Sequence, residues 1–145
     1  MVENERKRVL AIDMDGTLLK YDGWKGDAHY GVPNPGIRAM LERIANEKFK
    51  TGPKKGQRKW CIVIWTTRGS DGAIRNHLTK HNIPFDYINK NPGGPPSKSP
   101  KIFADVYLDD RAIRFEGETD GLADRILTAV PWFEVTPPKE ETSDD

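Results

Sequence analysis

Asp13 and Asp15 stand two residues apart in the run Asp13-Met14-Asp15-Gly16-Thr17, and a second acidic pair, Asp109-Asp110, lies far along the chain. Close carboxylates repel one another and need a shared proton or a cation between them. A hard cation with oxygen ligands, most simply Mg2+, meets that need, and Asp109 and Asp110 can supply the remaining ligands. Thr66 and Thr67, followed by Arg68, Gly69 and Ser70, bring hydroxyls and backbone N–H groups to a helix start, which suits a phosphate-sized anion. A cation is also needed to hold the anion's oxygens. Lys101, shortly before the second acidic pair, can provide it; Lys98 is a competitor that spacing alone does not exclude.

These residues need elements that bring them together. Residues 9–12 form a short apolar run that stops at Asp13, residues 60–65 a longer one that runs into Thr66, and residues 106–108 a third that stops at Asp109. Each reads as a buried strand, the second being apolar on consecutive positions as in a parallel strand covered on both faces. Shorter strands are expected at 84–88 and 113–115. Ile37, Met40, Leu41 and Ile44 recur at helical spacing after Asn34-Pro35, Ser70-Asp71 can cap a helix carrying Ala73, Ile74 and Leu78, and a last helix is expected over 123–130. Alternating strands and helices predict an α/β fold, a three-layer Rossmann-like parallel sheet flanked by helices. In such sheets the carboxyl ends of the strands form the ligand crevice, so three polar strand ends distant in sequence would meet in one place.

Asp13-Met14-Asp15-Gly16-Thr17, Thr66, Lys101 and Asp109-Asp110 follow the order and strand contexts of the four motifs of the haloacid dehalogenase-like hydrolases, and the sequence resembles that superfamily over residues 9–115. Ile64-Trp65-Thr66-Thr67-Arg68, Phe85-Asp86-Tyr87 and Asp109-Asp110-Arg111 are similar to the small, nearly capless members of bacteria and phages. The resemblance implies a Mg2+-dependent phosphatase in which Asp13 is the nucleophile and forms an aspartyl-phosphate. It implies that Asp15 is the general acid and base, with its backbone carbonyl on the metal. Thr66 and Lys101 would stabilise the transferring phosphoryl group, and Asp109 and Asp110 would complete the metal site. Members that cleave carbon–halogen bonds lack the second carboxylate of the first motif, so Asp15 favours phosphoryl chemistry. Receiver domains gather similar groups in another order, with the acidic pair first, and that order excludes them.

Residues 18–34 are long enough for a flap and too short for a folded helical cap, so the cap is minimal and the site open. A phosphorylated small molecule or a nucleic-acid end would then be the partner, and a specific polynucleotide-end or nucleotide phosphatase is an alternative. A fold-keeping binding protein without turnover is another. Lys48, Lys50, Lys54, Lys55, Arg58 and Lys59, flanked by Phe49 and Trp60, form a basic cluster that could track a nucleic-acid backbone, though such runs are commonly solvated loops. Trp24 and Tyr30 in the flap could stack on a base or pack on the domain. His77 and His81 share a helix face without a third metal ligand.

The chain has 145 residues, 36% hydrophobic and 31% charged, which bounds it to one domain, and its net charge of +1 argues neither for nor against an acidic partner. Residues 1–135 are expected to form that domain and 136–145 a disordered acidic tail. Cys61 is the one cysteine, which favours a reducing compartment, the cytoplasm. Residues 1–8 lack the apolar run of a signal peptide, and no stretch is long and apolar enough for a bilayer. An oligomer is not indicated.

Overall fold

The apolar runs that precede the acidic motifs pair side by side. The structure, a computed structural model, describes residues 6–93 and 99–134. In it β1 (Arg8–Ile12), β2 (Trp60–Ile64), β3 (Tyr87–Ile88) and β4 (Val106–Leu108) form a four-stranded, all-parallel sheet in the order β3-β2-β1-β4. Ile12 lies opposite both Ile64 and Leu108, and Ile64 lies opposite Ile88, so the strands stop level. The ladder runs one residue further: Asp13 N donates to Leu108 O at 2.9 Å, Trp65 N to Ile12 O at 2.9 Å and Asn89 N to Ile64 O at 2.8 Å. Asp13, Trp65, Asn89 and Asp109 therefore leave the sheet in one row.

Both faces of the central strands are covered, which is why their sequences are apolar without alternation. Leu10, Ile12, Ile62, Ile64 and Ile88 pack with Leu41 of α1 (Ile37–Ala45) and with Ile74 and Leu78 of α2 (Asp71–Lys80). Ala11 and Val63 face the other way onto Ile102 and Ala104, with Trp65 and Tyr107 against them. The third helix, α3 (Leu122–Thr128), follows β4. The α/β arrangement of a parallel sheet flanked by helices is thus the one observed.

Boundaries differ where local chemistry competes. Residues 113–115 form no strand: Arg114 and Phe115 are exposed, so the segment has no buried face to hold it against the open edge of β4. The strand expected over 84–88 is only Tyr87–Ile88, and α3 stops at Thr128, with Ala129 already extended ahead of Pro131. α1 starts at Ile37 after a left-handed Gly36, because the Asn34 side chain is spent on Thr17 O at 2.8 Å. Ser70 does cap α2, accepting from Ala73 N at 3.4 Å. Lys98 and the tail from residue 136 lie outside the described residues.

Two buttressed aspartates pin the sheet at the starts of its strands. Asp86 N donates to Ile62 O and its Oδ2 accepts from Ile62 N, both at 2.8 Å, while Arg58 grips both carboxylate oxygens at 2.8 and 3.0 Å. Asp105 does the same for Val9 N (2.7 Å) and Val9 O (2.9 Å), gripped by Arg6. Burial pushes the Asp86 carboxyl up, but Arg58 and the Ile62 N–H outweigh it, and its pKa falls below the ordinary value. Asp86→Ala should leave a strand N–H and a guanidinium without their acceptor and cost about 2–3 kcal/mol in urea unfolding. A loss within experimental error would show the clamp to be ornamental.

Candidate active site at the strand ends

At the carboxyl edge of the sheet, β1 delivers Asp13 and β4 delivers Asp109 and Asp110. Carboxylate oxygens of these three residues lie within 4.8 Å of one another. The Asp110 side chain is 2% exposed. Its Oδ1 accepts from Thr17 Oγ1 at 3.3 Å, whereas Oδ2 is buried with no hydrogen-bond partner. Arg111 Nε approaches that oxygen only to 3.9 Å and is itself well exposed. Asp109 Oδ1 accepts from Arg111 N at 2.7 Å, which fixes the turn after β4. Asp13 carries the consequence: burial, then the facing Asp110 carboxyl and the Asp109 charge, push its pKa up to about 8, against a smaller downward pull from the Met14 N–H.

Gly16 is what allows Asp110 so close. Its φ is +87°, and a Cβ there would lie 2.5 Å from Asp110 Oδ2 and 3.1 Å from Phe133 Cε1. A short 3₁₀ turn, Trp132–Glu134, closes over the same loop, with Trp132 Nε1 donating to Gly16 O at 2.6 Å. Gly16, Thr17, Leu108, Asp109, Asp110 and Trp132 are among the residues lining a cavity of about 300 Å³. A larger cavity, about 760 Å³, opens at the starts of β1 and β2 beside Arg8, Trp60 and the Arg58–Asp86 pair. It lies at the opposite ends of the strands from the acidic group, so size does not mark the chemistry here.

Asp15, expected to offer a metal its backbone carbonyl, turns its side chain away from this group. Both its oxygens face Arg68, from Nε at 2.7 Å and Nη2 at 3.1 Å. Thr66 lies one residue beyond the row of strand ends; Asn89 Oδ1 accepts from its N–H at 2.8 Å, and its Oγ1 accepts from Arg68 N at 3.1 Å. Thr67 is exposed. Lys101 is exposed too, its Nζ 5.3 Å from the Tyr107 ring centroid, and it forms no ion pair among the described residues. Asn89 and Arg68 are the two residues whose parts the sequence did not reveal. A buried arginine is the stronger omission, since guanidinium groups are seldom buried and the whole Arg68 residue is only 7% exposed.

Other residues singled out from sequence make contacts within the domain, Trp24 while remaining 58% exposed. Trp24 and Tyr30 lie against Arg68, with ring centroids 4.9 and 4.2 Å from its Cζ. Phe49 is 2% exposed, so it cannot stack on a base, and Arg58 of the same basic cluster is committed to Asp86. His77 Nε2 donates to Gly31 O (2.8 Å) and the ring stacks on Tyr30. Burial pushes the Cys61 thiol up to about 11, which leaves it unreactive near neutral pH. No helix among the described residues is long and apolar enough to cross a membrane.

No protein-family model and no curated protein matches the chain. A solved structure of a conserved protein from Bacteroides thetaiotaomicron is similar to it with a TM-score of 0.54 and 21% sequence identity, over 84% of this chain and 90% of that one. At that identity the likeness is one of fold, and it agrees with the α/β architecture described above.

Proposed function

We propose that this chain is a Mg2+-dependent phosphatase that hydrolyses phosphate monoesters through a phosphoryl group carried on Asp13, in the manner of the haloacid dehalogenase-like hydrolases its motifs resemble. The observation that carries the reading is the meeting of Asp13, Asp109 and Asp110 at the carboxyl edge of a parallel sheet, with Asp110 Oδ2 buried and unpartnered. Three carboxylates make an all-oxygen donor set of the kind hard divalent cations take. A buried carboxylate oxygen without a donor is costly unless a proton or cation meets it. The residues therefore fit Mg2+, which when bound would offset the charge of the acidic group and of the phosphoryl oxygens.

An ionised Asp13 oxygen attacks phosphorus as the bond to the leaving oxygen breaks, and Asp15, with one oxygen held by Arg68 and the other released from it and protonated, gives the leaving oxygen its proton. Water then attacks the phosphorus, returns a proton to Asp15, and releases inorganic phosphate with Asp13 restored. The Thr66 hydroxyl accepts from Arg68 N, so its own O–H is left to donate to a phosphoryl oxygen. Lys101, held only against the Tyr107 ring, supplies a mobile positive charge for the same oxygens. A flap in place of a folded cap leaves the crevice open to phosphorylated small molecules and to nucleic-acid ends. The single cysteine supports the cytoplasm as the compartment.

Phosphate release from nucleotides, sugar phosphates, 5′- and 3′-phosphorylated oligonucleotides and phosphopeptides, with and without Mg2+, tests the reading. Release that needs Mg2+ and disappears in Asp13→Asn is the expected outcome. Release that survives that substitution removes Asp13 as nucleophile, and silence across the panel favours a binding protein that keeps the fold without turnover.

A further inference from the structure

One guanidinium ties Asp15 to the flap. Besides its two bonds to the Asp15 carboxylate, Arg68 donates from Nη1 to Asp27 O at 3.2 Å and from Nη2 to His29 O at 2.7 Å. Trp24 and Tyr30, from the same flap, flank it, and its side chain is only 5% exposed. The flap's own base is a narrow ribbon in which Lys20 N donates to Val32 O and Asn34 N to Leu18 O, both at 2.8 Å. Gly31 is wedged into that ribbon: a Cβ there would lie 2.0 Å from Lys20 O.

Stripping either partner from a buried arginine leaves an under-compensated cation, so the two halves of this clasp support one another. With the flap displaced, Arg68 loses two carbonyl acceptors and its aromatic cover, and its hold on Asp15 slackens. With Asp15 replaced by an amide, the guanidinium keeps only one of its two side-chain acceptor oxygens and the flap is less firmly anchored. Neither effect needs Arg68 to touch a substrate.

We infer that Arg68 is a positioning residue that couples the orientation of Asp15 to the seating of the flap over residues 20–33, so that the leaving-group side of the crevice is assembled only while the flap is in place. The coupling stands on the contacts alone; its effect on catalysis rests on the phosphatase reading, in which Asp15 serves the leaving oxygen.

Two measurements separate these. In hydrogen–deuterium exchange, Asp15→Asn should raise exchange of the amides of residues 20–33 about tenfold, with β1 and α2 unchanged. In kinetics, Arg68→Met and, independently, Gly31→Ala should lower kcat/KM for an aliphatic ester such as glycerol phosphate about 100-fold. The same variants should lower kcat/KM for p-nitrophenyl phosphate less than about fivefold, because nitrophenolate leaves without being protonated. Because kcat/KM reports steps only through transfer to Asp13, the later part played by Asp15 does not enter. Flap exchange unchanged in Asp15→Asn overturns the coupling whatever the kinetics. Equal losses on both esters reduce Arg68 to a structural residue, and a Gly31→Ala enzyme with the natural leaving-group preference cuts the link to the flap. A natural protein inert toward both esters removes the phosphatase reading, and the exchange result then decides the coupling alone.

Discussion

Asp13→Asn should lose phosphate release by at least about 10⁴-fold and yet, without metal, melt higher than the natural protein at pH 8. Both effects come from one placement. Asp13 is the proposed nucleophile, and an amide in its place cannot carry the phosphoryl group. The same carboxyl is held among Asp109 and Asp110 with its pKa raised to about 8. A carboxyl that is more basic folded than unfolded binds a proton on folding between about pH 4 and 8, so its contribution weakens the fold as pH climbs through that window. Asn removes the charge and offers an N–H to the unpartnered Asp110 Oδ2. Mg2+ should reverse the ranking at pH 8, raising the natural protein's Tm by about 5–10 °C at saturation and the variant's far less. Thermal melts at pH 5 and pH 8, with Mg2+ and with chelator, would decide. A variant that melts lower than the natural protein at pH 8 in chelator would refute the crowded-carboxylate account. At acid pH the sign is opposite: Asp86 and Asp105 have depressed pKa values, so their support is present above about pH 4 and is lost as pH falls further.

Gly16→Ala should cost about 2–4 kcal/mol and abolish the Mg2+-induced rise in Tm. The residue sits at φ +87°, where a side chain is strained, and its Cβ would press into Asp110 at 2.5 Å from Oδ2 and 2.9 Å from Cγ. Asp110 cannot yield freely, because Thr17 holds its Oδ1, and the added carbon is itself hemmed in by Phe133 Cε1 at 3.1 Å. Gly36→Ala is the control: its φ of +81° carries the same conformational strain, but no atom lies within 4 Å of the added carbon. Urea unfolding of the two variants side by side isolates the contact with Asp110. Equal losses would mean that conformation alone is at stake and that the acidic loop has room to spare.

The sheet was legible because its central strands are buried on both faces and so stand out as apolar runs, each ending in a polar residue. That made the meeting of Asp13 with Asp109 and Asp110 foreseeable from residues far apart in sequence. Segments whose structure depends on a neighbour were not legible. Residues 113–115 have the composition of a strand but stay exposed beside the open edge of β4, while Asp86 and Asp105 look like ordinary loop acids until strand pairing brings Ile62 N and Val9 N to them. Arg68 was the hardest to read. Its burial requires Asp15, two carbonyls of the flap and two aromatic rings at once, and nothing local to Thr66-Thr67-Arg68-Gly69-Ser70 announces them.

The bond from Trp132 to Gly16 spans 116 residues, and its direction in time matters. On a ribosome the loop that holds Asp13 emerges early, while Asp109, Asp110 and the indole that seals the loop follow on the order of ten seconds later. During that interval Asp13 lacks its acidic neighbours, and its carboxyl is as innocuous as any exposed aspartate. The nascent chain therefore holds the proposed nucleophile before the residues that would serve it. Chains cut short before residue 132 lack the seal over the first motif, so the acidic site is closed only once the last described turn, Trp132–Glu134, has been made.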